Sequence, residues 1–303
     1  MISNNENSLT RKAYAKINLA LDVIRRREDG YHEVRMIMQT VDLYDVLTFI
    51  KTSSPGITVV TDKEGLPGDE SNLIYKAVRL IMENYPVHQG VRIELEKRIP
   101  MAAGMAGGST DAAAVFHGLN ELFGLGMSEN EMCALGVKIG ADVPYCIQGG
   151  TALSEGIGEV LTKLEDAPPC YVLIAKPDID VSTKYVYENL RVDKLDRHPD
   201  IDGMRAAIGE GDLHKMTGYM ENVLETVTAA AYPVIGEIKD FMKDRGALNA
   251  LMSGSGPTVF GIFEREEEAR KAYAELKEAF LADQIFVSEW VSGKKAYEDR
   301  NRA

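Results

Sequence analysis

The stretch "PMAAGMAGGSTDAAA", from Pro100 to Ala114, constrains this chain more than any other. Before it, Val91, Ile93, Leu95 and Ile99 alternate with charged residues, the period of a half-buried strand. After it, Ala112, Phe116, Leu119 and Phe123 recur at helical spacing and give one apolar face. A strand that runs through a glycine-rich loop into a helix leaves backbone N–H groups and the positive end of a helix dipole open to an anion. Phosphate is therefore the first ligand to consider. The loop is not a Walker A loop, because no lysine stands before Ser109 and Thr110. Nor do Gly104, Gly107 and Gly108 fit the dinucleotide spacing G-x-G-x-x-G. Phosphate charge must then be met by N–H groups, the helix dipole and a metal ion. Ser109 and Thr110 suit either a helix cap or a bond to phosphate or Mg²⁺. Asp111 has the same two readings, and stabilisation of the first helical turn is the preferred one.

Bulk properties narrow the partners. The 303 residues allow one large domain or two of moderate size. With 34 basic and 47 acidic residues the formal charge is −13, which argues against general binding to nucleic acid or to anionic membrane. A local nucleotide site stays open. Cys133, Cys146 and Cys170 are odd in number and lack metal-ligand spacing, so a reduced, cytoplasmic setting is expected. The start, "MISNNENSLTRK", has no apolar core, and no apolar run approaches the ~20 residues of a membrane helix. The first dozen residues are expected to be loose.

Periodicity predicts a strand in "AYAKINLALDV", with Ile17, Leu19, Leu21 and Val23 on one face, and further strands at 34–40, 46–50 and 57–61. Helices are predicted over "SNLIYKAVRLIM" and over 128–138, and a hairpin over "GGTALSEGIGEVLTKL". The prolines of "EDAPPC" suggest a boundary, giving domains 1–166 and 167–303. In the second, "YVLIAKP" opens a strand, and helices are expected at 182–190, 201–208, 216–226, 234–243 and 266–280. Strands are expected in "ALMSG", "TVFGIF" and "QIFVSEWV". Helices and strands mix without regular alternation, so the fold class is α+β.

Four segments together, "YAKINLALDVIRRREDGYHEVRMIMQTVDLYD", the glycine loop, "IGADVPYCIQGGTAL" and "LMSGSGPTVFG", resemble the GHMP kinases, grouped with galactokinase, homoserine kinase and mevalonate kinase. The resemblance runs in order from about Arg11 to Trp290. It implies a two-domain fold, with a ribosomal-protein-like N-terminal domain and a ferredoxin-like C-terminal domain. It also implies a kinase that uses ATP and Mg²⁺. "AKINLALDV" with "DGYHEV" points within the family to a diphosphocytidyl polyol of isoprenoid precursor synthesis as acceptor, phosphorylated on its 2-hydroxyl. The alternatives are another small alcohol of the homoserine or mevalonate type, or a nucleotide-binding regulator without catalysis. RNA binding, suggested only by the ribosomal relatives of the N-terminal fold, suits the charge badly.

The resemblance also assigns residues. It lays ATP phosphates on Pro100, Met101, Ala102, Ala103, Gly104, Met105, Ala106, Gly107, Gly108, Ser109 and Thr110, and the adenine end near Asn72 and Lys97. Asp142, which alone would read as a turn or cap residue, becomes the catalytic carboxylate. Lys16, otherwise a solvated strand lysine, becomes its neighbour, keeping the carboxylate ionised and balancing charge on the transferring phosphoryl. Asn18 shares the strand face of Lys16 by the period of two, and contacts the polyol. Tyr31 and His32, from a turn, become the cytidine pocket, closed on the other side by Thr183 and Tyr187; whether Tyr185 or Tyr187 stacks on the base stays open. Residues 253–258, "SGSGPT", are expected to pack a second glycine loop against the phosphate site. Met105, Ala106 and Thr110 stand where Leu, Gly and Ser are usual. If the position of Ala106 needs a positive φ, the alanine is strained by about 1 kcal/mol or more. The metal ligands are not assigned.

Overall fold

Two unusually long antiparallel strands, β1 (Ser8–Arg26) and β2 (His32–Thr52), form the spine of the N-terminal half. β1 begins at Ser8, so the polar start is not loose as far as Lys12: Ser8 to Lys12 pair in register with Ile50 to Val46. The computed structural model describes residues 7–293, and residues 1–6 of that start lie outside it. The sheet is completed by β3 (Ile57–Thr61), β4 (Gly90–Glu96), β5 (Thr151–Glu155) and β6 (Val160–Lys163), in the order β3-β4-β2-β5-β6 with β1 on β2. β3 and β4 run parallel, and their crossover contains α1 (Leu73–Asn84). Helix α2 (Gly107–Phe123) packs between α1 and the long strands, followed by α3 (Glu129–Gly136) and the short α4 (Val143–Gln148). A full capping box at Ser128 and Glu131 starts α3. Pro144 opens the first turn of α4, a helix where the sequence reads as a turn.

β1 does not keep one face inward. A register shift between Asn18 and Ala20 turns the strand over. Ile17 and Leu19 therefore join one apolar core, while Leu21 and Val23 join another. The four residues expected on one face are split by this bulge, and Leu21 comes onto the side of Lys16 and Asn18, which line the same cleft.

The C-terminal sheet has the order β10-β7-β9-β8, all antiparallel, from β7 (Tyr171–Lys176), β8 (Asn249–Met252), β9 (Val259–Phe263) and β10 (Gln284–Glu289). In chain order this is 4-1-3-2, the split βαβ arrangement of ferredoxin-like folds. Between β7 and β8 lie α5 (Thr183–Asn189), α6 (Ile201–Glu210), α7 (Leu213–Gly218), α8 (Glu225–Ala231) and α9 (Val234–Asp244); α10 (Glu266–Glu278) joins β9 to β10. The helix expected at 216–226 is broken at 219–224. There the Leu21 N–H donates to the Glu221 carbonyl, and the Val223 N–H to the Leu21 carbonyl. Pairing to β1 takes backbone groups that helical hydrogen bonds would have used.

Candidate active site

A single cleft of about 1450 Å³ lies between the glycine loop, β1, the 27–31 turn and α5. That exceeds the ~300–1,000 Å³ typical of one small ligand, leaving room for two. Of the residues assigned above by resemblance, all line it except Met105 and Thr110. Met105 is 1% exposed and belongs to the apolar core. Thr110 is buried, and its hydroxyl donates to the Tyr14 carbonyl at 2.7 Å, tying α2 to β1.

The loop is held by three hydrogen bonds, two from β1 and one from the C-terminal domain. The Lys16 N–H donates to the Met105 carbonyl at 3.2 Å, and the Lys16 ammonium donates to the Gly104 carbonyl at 3.2 Å. From the C-terminal domain, the Ser253 hydroxyl donates to the same Gly104 oxygen at 2.9 Å. The second glycine loop therefore packs on the first, and Asn222 braces it by donating to the carbonyls of Met252 and Gly254 at 2.8 Å each. Ala106 has φ 57° and ψ 28°, the left-handed conformation anticipated for this position, and Ala102 at φ 49° is a second alanine there. Each carries strain that glycine would not. With Ala106 as N-cap, no side chain caps α2, so its first N–H groups stay available for an anion.

Beneath the loop is a buried charge cluster. The Lys97 ammonium donates to Asp45 and, at 2.8 Å, to Asp111. The other Asp45 oxygen accepts from the N–H groups of Arg98 at 2.5 Å and Ile99 at 2.8 Å. Burial alone would lower the Lys97 ammonium, but the Asp111 and Asp45 carboxylates outweigh it and its pKa rises. Burial drives the Asp111 carboxyl well above the usual range, with Lys97 opposing and Asp45 adding to the rise. Asp111 is thus part of a buried triad, not a surface residue answering the helix dipole. Asp45 gave no sequence signal, since an acidic residue in a strand is ordinarily solvated. The polar atoms of Asn72 are also committed: its Oδ1 accepts from the Ile74 N–H at 2.9 Å and its amide donates to the Pro67 carbonyl at 2.7 Å.

At the centre, the Lys16 ammonium stands 3.9 Å from Asp142 and donates to Asn18 Oδ1 at 2.8 Å. Lys16 is 5% exposed, so it is no solvated strand lysine. Asp142 is the N-cap of α4 but makes no side-chain cap bond, leaving its carboxylate to the cleft. Farther along, the rings of His32 and Tyr187 lie 5.1 Å apart with a 35° tilt. Burial, with the Arg26 charge adding to it, depresses the His32 pKa. Burial, reinforced by Asp142, pushes the Tyr187 phenol upward. Tyr185 is 45% exposed and does not line the cleft, whereas Tyr187 does. Thr183 shares a 2.8 Å hydrogen bond with the Ser255 hydroxyl, linking α5 to the second glycine loop. Tyr31 stands exposed at the rim. Asp22 and His198, joined at 2.7 Å, tie β1 to the 190–200 segment beside the cleft and were not anticipated. No helix among the described residues is long and apolar enough to cross a membrane.

The GHMP kinases N terminal domain model matches residues 72–150, and the GHMP kinases C terminal model matches residues 204–282. The 4-diphosphocytidyl-2-C-methyl-D-erythritol kinase of Lachnoclostridium phytofermentans is 55% identical over 93% of this chain and 97% of its own length. That of Caldicellulosiruptor saccharolyticus is 54% identical over 88% of this chain and 92% of its own. A solved structure of 4-(cytidine 5'-diphospho)-2C-methyl-D-erythritol kinase superposes with a TM-score of 0.80 at 34% identity, covering 93% of this chain and 99% of that one. The order of elements, the paired glycine loops and these matches agree, and the chain belongs to the GHMP kinases, among the relatives named 4-diphosphocytidyl-2-C-methyl-D-erythritol kinase.

Proposed function

We propose that this chain transfers the γ-phosphoryl of ATP to the 2-hydroxyl of 4-diphosphocytidyl-2-C-methyl-D-erythritol, giving the 2-phosphate and ADP. The observation that carries the reading is the position of Lys16 and Asp142, 3.9 Å apart, in one cleft with an uncapped helix start and the paired His32 and Tyr187 rings. ATP phosphates lie on the N–H groups of the 100–110 loop and the start of α2. Asn72 and Lys97 flank the adenine end through backbone and packing, since their side-chain polar atoms are engaged elsewhere. His32 and Tyr187 hold cytosine between Tyr31 and Thr183, and Asn18 contacts the polyol.

Asp142 orients the acceptor hydroxyl. As its oxygen bonds to the γ-phosphorus and the bond to the β-phosphate oxygen breaks, the hydroxyl proton passes to the carboxylate. A loose phosphoryl-transfer transition state needs no strong base, because the proton leaves late. Lys16 sets positive charge beside the carboxylate and the transferring group. Among the described residues no cluster of three or more His, Cys, Asp or Glu side chains is placed to hold a metal ion. That suits Mg²⁺ carried by the nucleotide, with Ser109 and Asp142 as the cleft oxygens able to complete its shell. When bound, Mg²⁺ neutralises phosphate charge. The catalytic and ATP-binding unit is assigned to 1–166 and the closing unit to 167–303; the last N-terminal strand ends at Lys163 and the first C-terminal one starts at Tyr171.

The test is ADP release from Mg²⁺-ATP with the cytidylyl methylerythritol, homoserine and mevalonate offered in parallel. Release with the first alone is expected, with kcat lowered about 10²–10⁴-fold in Asp142→Asn. Release with homoserine or mevalonate instead would move the reading to another alcohol. ATP binding without release from any acceptor would leave a regulator.

A further inference from the structure

An acceptor that carries a diphosphate brings a second anionic group into the cleft, and an acidic protein must meet it locally. The cations lining the cleft can be taken in turn. Lys16 is paired with Asp142, and Lys97 with Asp45 and Asp111. Arg25 is paired with Glu33 at 2.6 Å, and Lys184 with Glu188 at 3.9 Å. That leaves Arg26 and Arg191, both exposed and both lining the cleft. Among the described residues their guanidinium groups make no ion pair and no hydrogen bond, and every other arginine except Arg205 is ion-paired. Unpaired arginines are thus concentrated at one cleft in a chain of charge −13.

Their placement is specific to one half of the cleft. Arg26 is the cross-strand partner of His32 in the β1–β2 register, so the two side chains share a face. Arg191 follows the end of α5, four residues beyond Tyr187, and the turn it opens packs against β1. The two arginines therefore reach the cleft that His32 and Tyr187 line from two different elements, one beside each ring-bearing residue in the chain or the register.

We propose that Arg26 and Arg191 form a clamp for the diphosphate of the acceptor, making them specificity-determining residues for a cytidine diphosphate ester. This rests on the function proposed above. Guanidinium suits the task because its planar donors match phosphate oxygens two at a time. Both groups are exposed, so each is worth a modest factor, and the pair about tenfold in acceptor affinity.

The experiment uses the full chain and the double variant Arg26→Gln/Arg191→Gln, with kcat and KM measured for both substrates at two salt concentrations. Cytidine and CDP serve as inhibitors competing with the acceptor. The expected result is an acceptor KM raised about tenfold, with kcat and the KM for ATP within about twofold of the parent. The preference for CDP over cytidine should shrink by a similar factor, and the salt dependence of the acceptor KM should flatten. An unchanged acceptor KM with the CDP preference intact would overturn the clamp while leaving the kinase reading in place. An equal rise in the KM for ATP would also overturn it, since the arginines would then serve the nucleotide. A parent protein that turns over homoserine or mevalonate but not the cytidylyl acceptor would overturn both readings.

Discussion

Replacing Gly104 by alanine tests whether the two glycine loops press on each other. Gly104 has φ 70°, and a Cβ there would stand 2.2 Å from the Ser253 carbonyl oxygen, 3.1 Å from its carbonyl carbon and 3.3 Å from the Gly256 nitrogen. All three atoms are backbone, so no side-chain rotation relieves the contact. The left-handed conformation costs an alanine about 1–2 kcal/mol, and forced overpacking adds about 1–3 kcal/mol. Gly124, at φ 60° with nothing within 4 Å of its Cβ position, is the control. Gly124→Ala incurs the same conformational strain and gains the same unfolded-state entropy, so both cancel in the comparison. Gly104→Ala should therefore be less stable than Gly124→Ala by about 1–3 kcal/mol. Urea unfolding, followed by far-UV dichroism and by the fluorescence of Trp290, measures the difference from the midpoints at constant m. Trp290 is the only tryptophan, and its indole donates to the Pro168 carbonyl at 2.8 Å. The KM for ATP should rise in Gly104→Ala alone, because the loop must shift to admit the methyl. Equal destabilisation by the two alanines, with the KM for ATP unchanged, would refute the packing argument.

Lys97→Met should destabilise by about 3–5 kcal/mol, because Asp45 and Asp111 would stay buried without their cation; calorimetry or urea unfolding measures it. Ala106→Gly should change stability by less than about 1 kcal/mol, since relief of left-handed strain offsets the entropy glycine adds to the unfolded chain; a large loss would contradict the φ of 57°. His32 is depressed first by burial and then by Arg26, so Arg26→Gln should raise its pKa partway towards the ordinary value, as read by NMR titration. With a depressed folded value, the unfolded chain takes up the proton first as pH falls. The stability attached to His32 is thus full above about pH 6.5 and lost as pH drops through the folded value, and the variant should lose less.

What could be read from the sequence is what local chemistry dictates. The Pro100–Ala114 stretch announced a strand, a glycine loop and a helix start, because apolar periodicity on either side of clustered glycines is a local pattern, and the run of Ile57 to Thr61 announced its strand by composition. Most helices and strands followed from periodicity, α4 and the break at 219–224 excepted, and the family motifs placed Lys16 and Asp142 in one site before any distance was known. Ala106 was flagged by its place in the motif, and its left-handed φ is a local property. Tertiary structure decided the rest, since partners distant in the chain carry no local signature. The bulge that sends Ile17 and Leu21 to different cores depends on β2. The break at 219–224 depends on Leu21, whose backbone outcompetes a helix there. Asp45 and Asp111 became a buried triad because Lys97 reaches both from β4's end, and Arg26 and Arg191 came to line one cleft only when the turn after α5 packed on β1. Periodicity reports which face of an element is apolar; which side chains share a buried charge, or stand unpaired at a cleft, is set by the packing of elements far apart in sequence.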